Sequence, residues 1–192
     1  MDFQKLKYIV IVGAILLFIL YNKYCKCPDA PKNQTQEIIK KLECDNPHYD
    51  VYFCPSDNCR QHVIGLFDNA EKTIDCAVYS FNDQDIADAI VRADDRGMLT
   101  RVFLDKDEAS GLSKDKYLLQ NNIRIRLDAV DGLMQDNFCV VDELYVSTGS
   151  FAFTSEDNDK NYGNLLIAKS QSLAFEYQNE FNVLWVENKE VI

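Results

Sequence analysis

Met134-Gln135-Asp136-Asn137-Phe138-Cys139-Val140-Val141-Asp142 leads to Ser147-Thr148-Gly149-Ser150-Phe151-Ala152-Phe153-Thr154, and then to Asn161-Tyr162-Gly163-Asn164. Phe138 to Val141 and Leu144 to Ser147 are two short runs of strand-forming residues around Asp142-Glu143, the pattern of a hairpin. Gly149-Ser150 reads as a tight turn, and Asn164 to Ala168 as a further strand.

Outward from this stretch, strand and helix signals alternate. Val51 to Cys54 reads as a strand closed by Pro55-Ser56. A helix is expected from Asp57 to about Asn69, with Val63, Leu66 and Phe67 on its apolar face. Lys72 to Phe81 is largely apolar, like a buried central strand. Asp83 to Arg96 is helical by period: Ile86, Ile90 and Ala93 share a face, and Gly97 stops it. Met98 to Leu104 is the next strand, Leu112 to Asn121 a helix, and Ile123 to Leu127 a strand. Ser170 caps a last helix on which Leu173, Tyr177, Phe181 and Leu184 line up. The alternation implies an α/β sheet covered on both faces.

The chain has 192 residues, 47% of them apolar and 27% charged, which fits one globular domain with an appendage and excludes a disordered chain. Its net charge of −11 is unevenly spread. Residues 1–41 carry +4, whereas residues 42–192 hold 13 basic and 28 acidic side chains, a balance of −15. Such a domain repels phosphate backbones, so nucleic acid is a poor partner. Arg124 and Arg126 are only a pair, not a basic patch.

Tyr8 to Tyr21 is fourteen residues without a charge, flanked by Lys5, Lys7, Lys23 and Lys26. About 20 apolar residues span a bilayer, and snorkelling lysines with interfacial tyrosines extend a shorter run. A cleaved signal peptide would need small residues after the run, where Asn22-Lys23-Tyr24-Cys25 stands instead. The reading is an uncleaved membrane anchor over residues 1–24, a linker with a short helix (Gln34 to Glu43) over 25–47, and a domain over 48–192. Lys23, Lys26 and Lys32 outnumber the lysines before the run, which places the domain on the cytosolic side.

Seven cysteines are an odd number, and a domain of this size needs no disulfide, so free thiols in a reducing compartment are expected. Cys44, His48, Cys54, Cys59 and His62 cluster in sequence, but their spacing matches no zinc knuckle; buried thiols are the expected state. Asn33-Gln34-Thr35 is a glycosylation sequon, relevant only on a lumenal face. The acidic run Asp105 to Glu108 reads as a solvated loop at a strand end.

The stretch quoted first resembles the phospholipase D superfamily, and most of all its single-motif, membrane-anchored branch of the mitochondrial cardiolipin hydrolase or Zucchini type. That branch carries H-x-K-x4-D, a strand, T-G-S-x-N-W-T and N-x-E-N. Asp142 stands at the motif aspartate; Thr148, Gly149, Ser150 and Thr154 match the next segment, and Asn161 and Asn164 the last, without a gap. The resemblance covers residues 48–187 and implies a phospholipase D-like fold: a mixed central sheet flanked by helices, preceded here by one transmembrane helix.

The departures fall on the family's chemical groups. Gln135 replaces the histidine, Asn137 the lysine, Gly163 the glutamate, and Ala152 and Phe153 the asparagine and tryptophan. In active members, as the resemblance implies, a histidine attacks phosphorus, a second protonates the leaving group, the lysine neutralises phosphate and the glutamate orients a histidine. A glutamine amide is neither a nucleophile nor titratable near pH 7. A neutral asparagine stabilises no phosphoryl charge. Asp136 adds negative charge where phosphate would sit. Asp142, Gly149, Ser150, Thr154 and Asn161 remain as hydrogen-bonding scaffold.

No substitute catalyst is evident. His48 and His62 are the only histidines and lie at no position the family uses. Asp136 and Asp142 lack a metal-ligand spacing, and no cofactor motif is present, so neither metal nor cofactor is expected. The resulting expectation is a catalytically inactive, membrane-anchored binding or scaffolding subunit, a homodimer or a heterodimer with a related chain that it regulates. The alternative is a phosphodiesterase acting on a cardiolipin-like phospholipid or, less readily, nucleic acid. The resemblance points to the mitochondrial outer surface.

Overall fold

The computed structural model describes residues 47–109, 113–129 and 131–191. The apolar run Tyr8 to Tyr21, the helix expected over residues 34–43 and Cys44 lie outside them. Among the described residues no helix is long and apolar enough to cross a membrane.

The elements in chain order are β1 (His48–Cys54), α1 (Cys59–Asp68), β2 (Thr73–Val78), α2 (Gln84–Asp95), β3 (Leu99–Leu104), α3 (Asp115–Gln120) and β4 (Arg124–Leu127). There follow β5 (Asn137–Val141), β6 (Tyr145–Gly149), α4 (Ser155–Asp159), β7 (Gly163–Lys169), α5 (Gln171–Glu187) and β8 (Lys189–Val191). The strands form one sheet in the order β1-β7-β6-β5-β2-β3-β4-β8. β2, β3 and β4 run parallel, and the remaining pairs are antiparallel, so the sheet is mixed.

The period-2 alternation of β2 sorts its side chains between two cores. Ile74, Cys76 and Val78 face one layer with Val63 and Phe67 of α1, Ile86 and Ile90 of α2, and Leu118 of α3. Ala77 joins Phe103, Phe138, Val140 and Val146 on the other face, under Ala174, Phe181 and Trp185 of α5. Asp83 caps α2 by accepting from Ile86 N, and Ser170 caps α5 by accepting from Leu173 N.

Two elements carry no periodic signal in the sequence. α4 is a single turn started by Thr154, whose hydroxyl accepts from Asp157 N. β8 is three residues long and exists because β4 offers it an open edge. β1 also begins earlier than expected, at His48, because β7 pairs with it from His48↔Lys169 to Cys54↔Gly163.

The free-thiol expectation is corrected. All four described cysteines are joined, Cys54 to Cys59 and Cys76 to Cys139. The odd number arises from Cys25, Cys27 and Cys44, which precede the described residues. The expectation failed because Cys76 and Cys139, 63 residues apart, become neighbours only when β2 pairs with β5. The zinc cluster is set aside with it. Cys54 and Cys59 bond to each other, and among the described residues no group of His, Cys, Asp or Glu is placed to hold a metal.

Candidate functional site

The three motif segments meet at one end of the sheet, where β5 begins, β6 ends and β7 begins. The registers Val78↔Asn137, Phe138↔Thr148, Gly149↔Leu165 and Cys54↔Gly163 set them side by side. Gln135 lies exposed two residues before β5. Asn137 opens the strand half-buried, and its side-chain oxygen accepts a hydrogen bond from Tyr79 N at 3.2 Å. The amide at the lysine position is thus tied to backbone.

Asp142 lies at the opposite end of β5, in the hairpin turn. Its φ of 58° and that of Glu143, 54°, are both left-handed, and Leu144 N closes the turn onto Val141 O. The Asp142 carboxylate accepts from Glu71 N at 2.9 Å, Lys72 N at 2.7 Å and Thr73 N at 3.0 Å. It fastens the hairpin to the start of β2.

Ser150 also serves the scaffold: its hydroxyl accepts from Asn164 N at 3.0 Å and from the Asn164 side-chain amide at 3.3 Å. Gly149 has φ +152°, and a Cβ there would sit 2.2 Å from Asn164 O, so the close approach of the two segments requires glycine. A Cβ on Gly163 would lie 3.3 Å from the Ser150 hydroxyl, so a larger side chain there presses on the same bond.

Ala152 is buried, and its N–H donates to Asp157 Oδ2 at 3.1 Å. Asn161 donates its amide to Asp157 Oδ1 at 2.6 Å. One carboxylate therefore clasps both ends of the 152–161 segment. Asn82 anchors that segment to the β2–α2 connection: it accepts from Ser155 N, donates to Glu156, and its backbone N–H reaches Phe153 O. Arg60 reinforces the junction through Asp83 at 2.6 Å, with Asp159 at 3.6 Å.

Asn82, Arg60 and Asp157 escaped the sequence reading. The spacing Thr154-x-x-Asp157 at a helix start was the one signal available for Asp157. The reading of Asp105 as part of a solvated loop is corrected: its carboxylate is fully buried. It accepts from Asp107 N and Glu108 N within its own turn and from Met134 N at 2.7 Å, holding the entry to Gln135 in place.

Of the positions that match the family's motif, Gln135, Asn137, Ser150, Ala152, Asn161 and Gly163 are uncharged, and Asp142, the one carboxylate of the set, lies at the other end of β5. The expectation that Asp136 adds its charge to these positions is corrected: β5 alternates, with Cys139 and Val141 on the face of Asn137 and Phe138 and Val140 on the other, and Asp136 lines a groove on that other face with Phe138, Glu176, Tyr177 and Glu180. Loss of solvent around the Asp136 carboxyl raises its pKa above the ordinary value. The motif positions gathered at this end of the sheet therefore offer neutral hydrogen-bonding groups in place of a nucleophile and a cation.

Neither histidine makes a hydrogen bond or ion pair with these residues. His62 stacks on Tyr52 with ring centroids 3.6 Å apart, and its Nε2 lies 3.1 Å from Asp57 O. His48 stands at the far end of β1, 3.9 Å from the Asp50 carboxylate. β1 is separated from β5 by β7 and β6, three strand spacings or about 14 Å.

Residues 63–185 match the family model described as "Cardiolipin synthase, PLD-like domain". A protein named "Phospholipase D" from Rickettsia conorii is 29% identical over 189 residues, covering 92% of this chain and 94% of that protein. A "Mitochondrial cardiolipin hydrolase" from Xenopus tropicalis is 31% identical over 151 residues, 78% of this chain and 68% of its own. Among solved structures, the phospholipase D family member Nuc from Salmonella typhimurium superposes with a TM-score of 0.72 at 27% identity, covering 76% of this chain and 99% of Nuc. NucT from Helicobacter pylori, at 20% identity and a TM-score of 0.69, shares the fold.

Proposed function

The chain belongs to the phospholipase D-like family, and we propose that this member has kept the fold and lost the reaction, serving as a membrane-tethered binding or scaffolding subunit at a phospholipid surface. The observation that carries this reading is the pair Gln135 and Asn137, with the Asn137 amide bonded to Tyr79 N. Covalent catalysis at phosphorus needs a nucleophile, and neither amide is one.

Relatives named phospholipase D and cardiolipin hydrolase support a phospholipid as the binding class. The apolar run Tyr8 to Tyr21 supports a membrane tether. The name of the Xenopus relative supports a mitochondrial membrane. Pairing of two such chains across a two-fold axis would bring together two glutamines. Pairing with an active relative would supply one histidine where two are needed, so this chain would act as a brake.

Full-length protein mixed with cardiolipin-containing vesicles tests the reading. Co-flotation without release of phosphatidic acid supports it. Phosphatidic acid accumulating in proportion to protein would make the chain a phospholipase instead.

A further inference from the structure

We propose that the domain matures in an oxidising compartment, as a doubly disulfide-bonded fold on the non-cytosolic side of its membrane. The observation is the pairing of all four described cysteines. A domain kept in the reducing cytosol holds its cysteines as thiols; persistent structural disulfides belong to oxidising compartments. Here no described cysteine is left over, and the two bridges are independent of each other. Cys54–Cys59 closes the turn between β1 and α1, whereas Cys76–Cys139 joins direct cross-strand partners on β2 and β5.

Burial makes a reversible switch the poorer account of these bonds. Cys59, Cys76 and Cys139 are fully buried, and Cys54 is 2% exposed. A thiolate that reduces a disulfide must reach a sulfur atom, and regulatory cysteines are accordingly accessible ones. The bridges therefore form during folding. In each, two thiols give up two protons and two electrons to a disulfide-carrying oxidoreductase of that compartment, which leaves as its dithiol.

The orientation is opposite to the one expected from the lysines flanking Tyr8 to Tyr21. That expectation rested on three lysines after the run against two before it. The leaflet that the domain meets is then the non-cytosolic one, a consequence that rests on the phospholipid-surface reading above.

Thiol trapping in the protein's own host tests the proposal. Cells are quenched in acid and denatured, free thiols are blocked with N-ethylmaleimide, and the full chain is mapped by mass spectrometry before and after reduction. The expected result is no modification of Cys54, Cys59, Cys76 or Cys139 before reduction, with linked peptides 54–59 and 76–139. Modification of any of the four before reduction would overturn it. The readout involves no lipid, so it fails or succeeds independently of the binding function.

Discussion

Asp142 accepts hydrogen bonds from three consecutive backbone N–H groups, a duty that the fold needs whether or not chemistry takes place. Gly149 is bound to its position for a similar reason. Gly149→Ala would drive a Cβ into Asn164 O and force an L side chain to φ +152°. A loss of about 3 kcal/mol is expected in urea unfolding, since strain of 1–3 kcal/mol adds to the clash; a change under about 0.5 kcal/mol would show that the β6–β7 approach is looser than described. Asp136 gives a pH signature. Its pKa is raised by loss of solvent, so the folded state is favoured when the carboxyl is protonated and that advantage is lost as pH rises through the folded pKa. Asp136→Asn should therefore raise the melting temperature at pH 7, with the gain vanishing near pH 3, below the ordinary aspartate pKa of about 3.9. An equal gain at both pH values would mean that ionisation is not the cause. The identities at these positions were legible from the motif spacing alone. Their partners were not: Glu71 and Asp142 are 71 residues apart, and only the sheet brings them together.

At the scale of elements, the sheet's second core depends on a charge that it encloses. Asp75 is 2% exposed on β2; it accepts two hydrogen bonds from Arg101 on β3, at 2.7 Å each, and one from Gln178 on α5 at 2.8 Å. The Arg101 guanidinium lies over Phe181 and Trp185, 4.9 Å and 5.3 Å from the ring centroids. Arg101→Ala leaves a buried carboxylate without its cation and should cost about 3–5 kcal/mol, whereas replacing both partners by apolar residues should cost much less. A double-mutant cycle by denaturant unfolding measures the difference, and additive losses would show that the two groups are not coupled. The long elements could be read from apolar period and caps, as Ile86, Ile90 and Ala93 of α2 illustrate: all three are buried where the period put them. α4 and β8 could not, because five and three residues are too few to show a period. Asp75 was hidden inside a run that reads as apolar strand.

For the whole molecule, the fold followed from motif residues that survive as scaffold, and the family model then covered residues 63–185. The cysteine pairing ran against the reading from composition, since counting seven cysteines says nothing of which strands meet. The inactive reading rests on four positions that share one end of the sheet. Full-length wild type is to be compared with the variant Gln135→His, Asn137→Lys, Ala152→Asn and Gly163→Glu on a chromogenic phosphodiester. A silent wild type beside a variant that turns over is the expected result. Saturable hydrolysis by the wild type, abolished in Gln135→Ala or His62→Ala, would contradict it and identify the group that carries the chemistry.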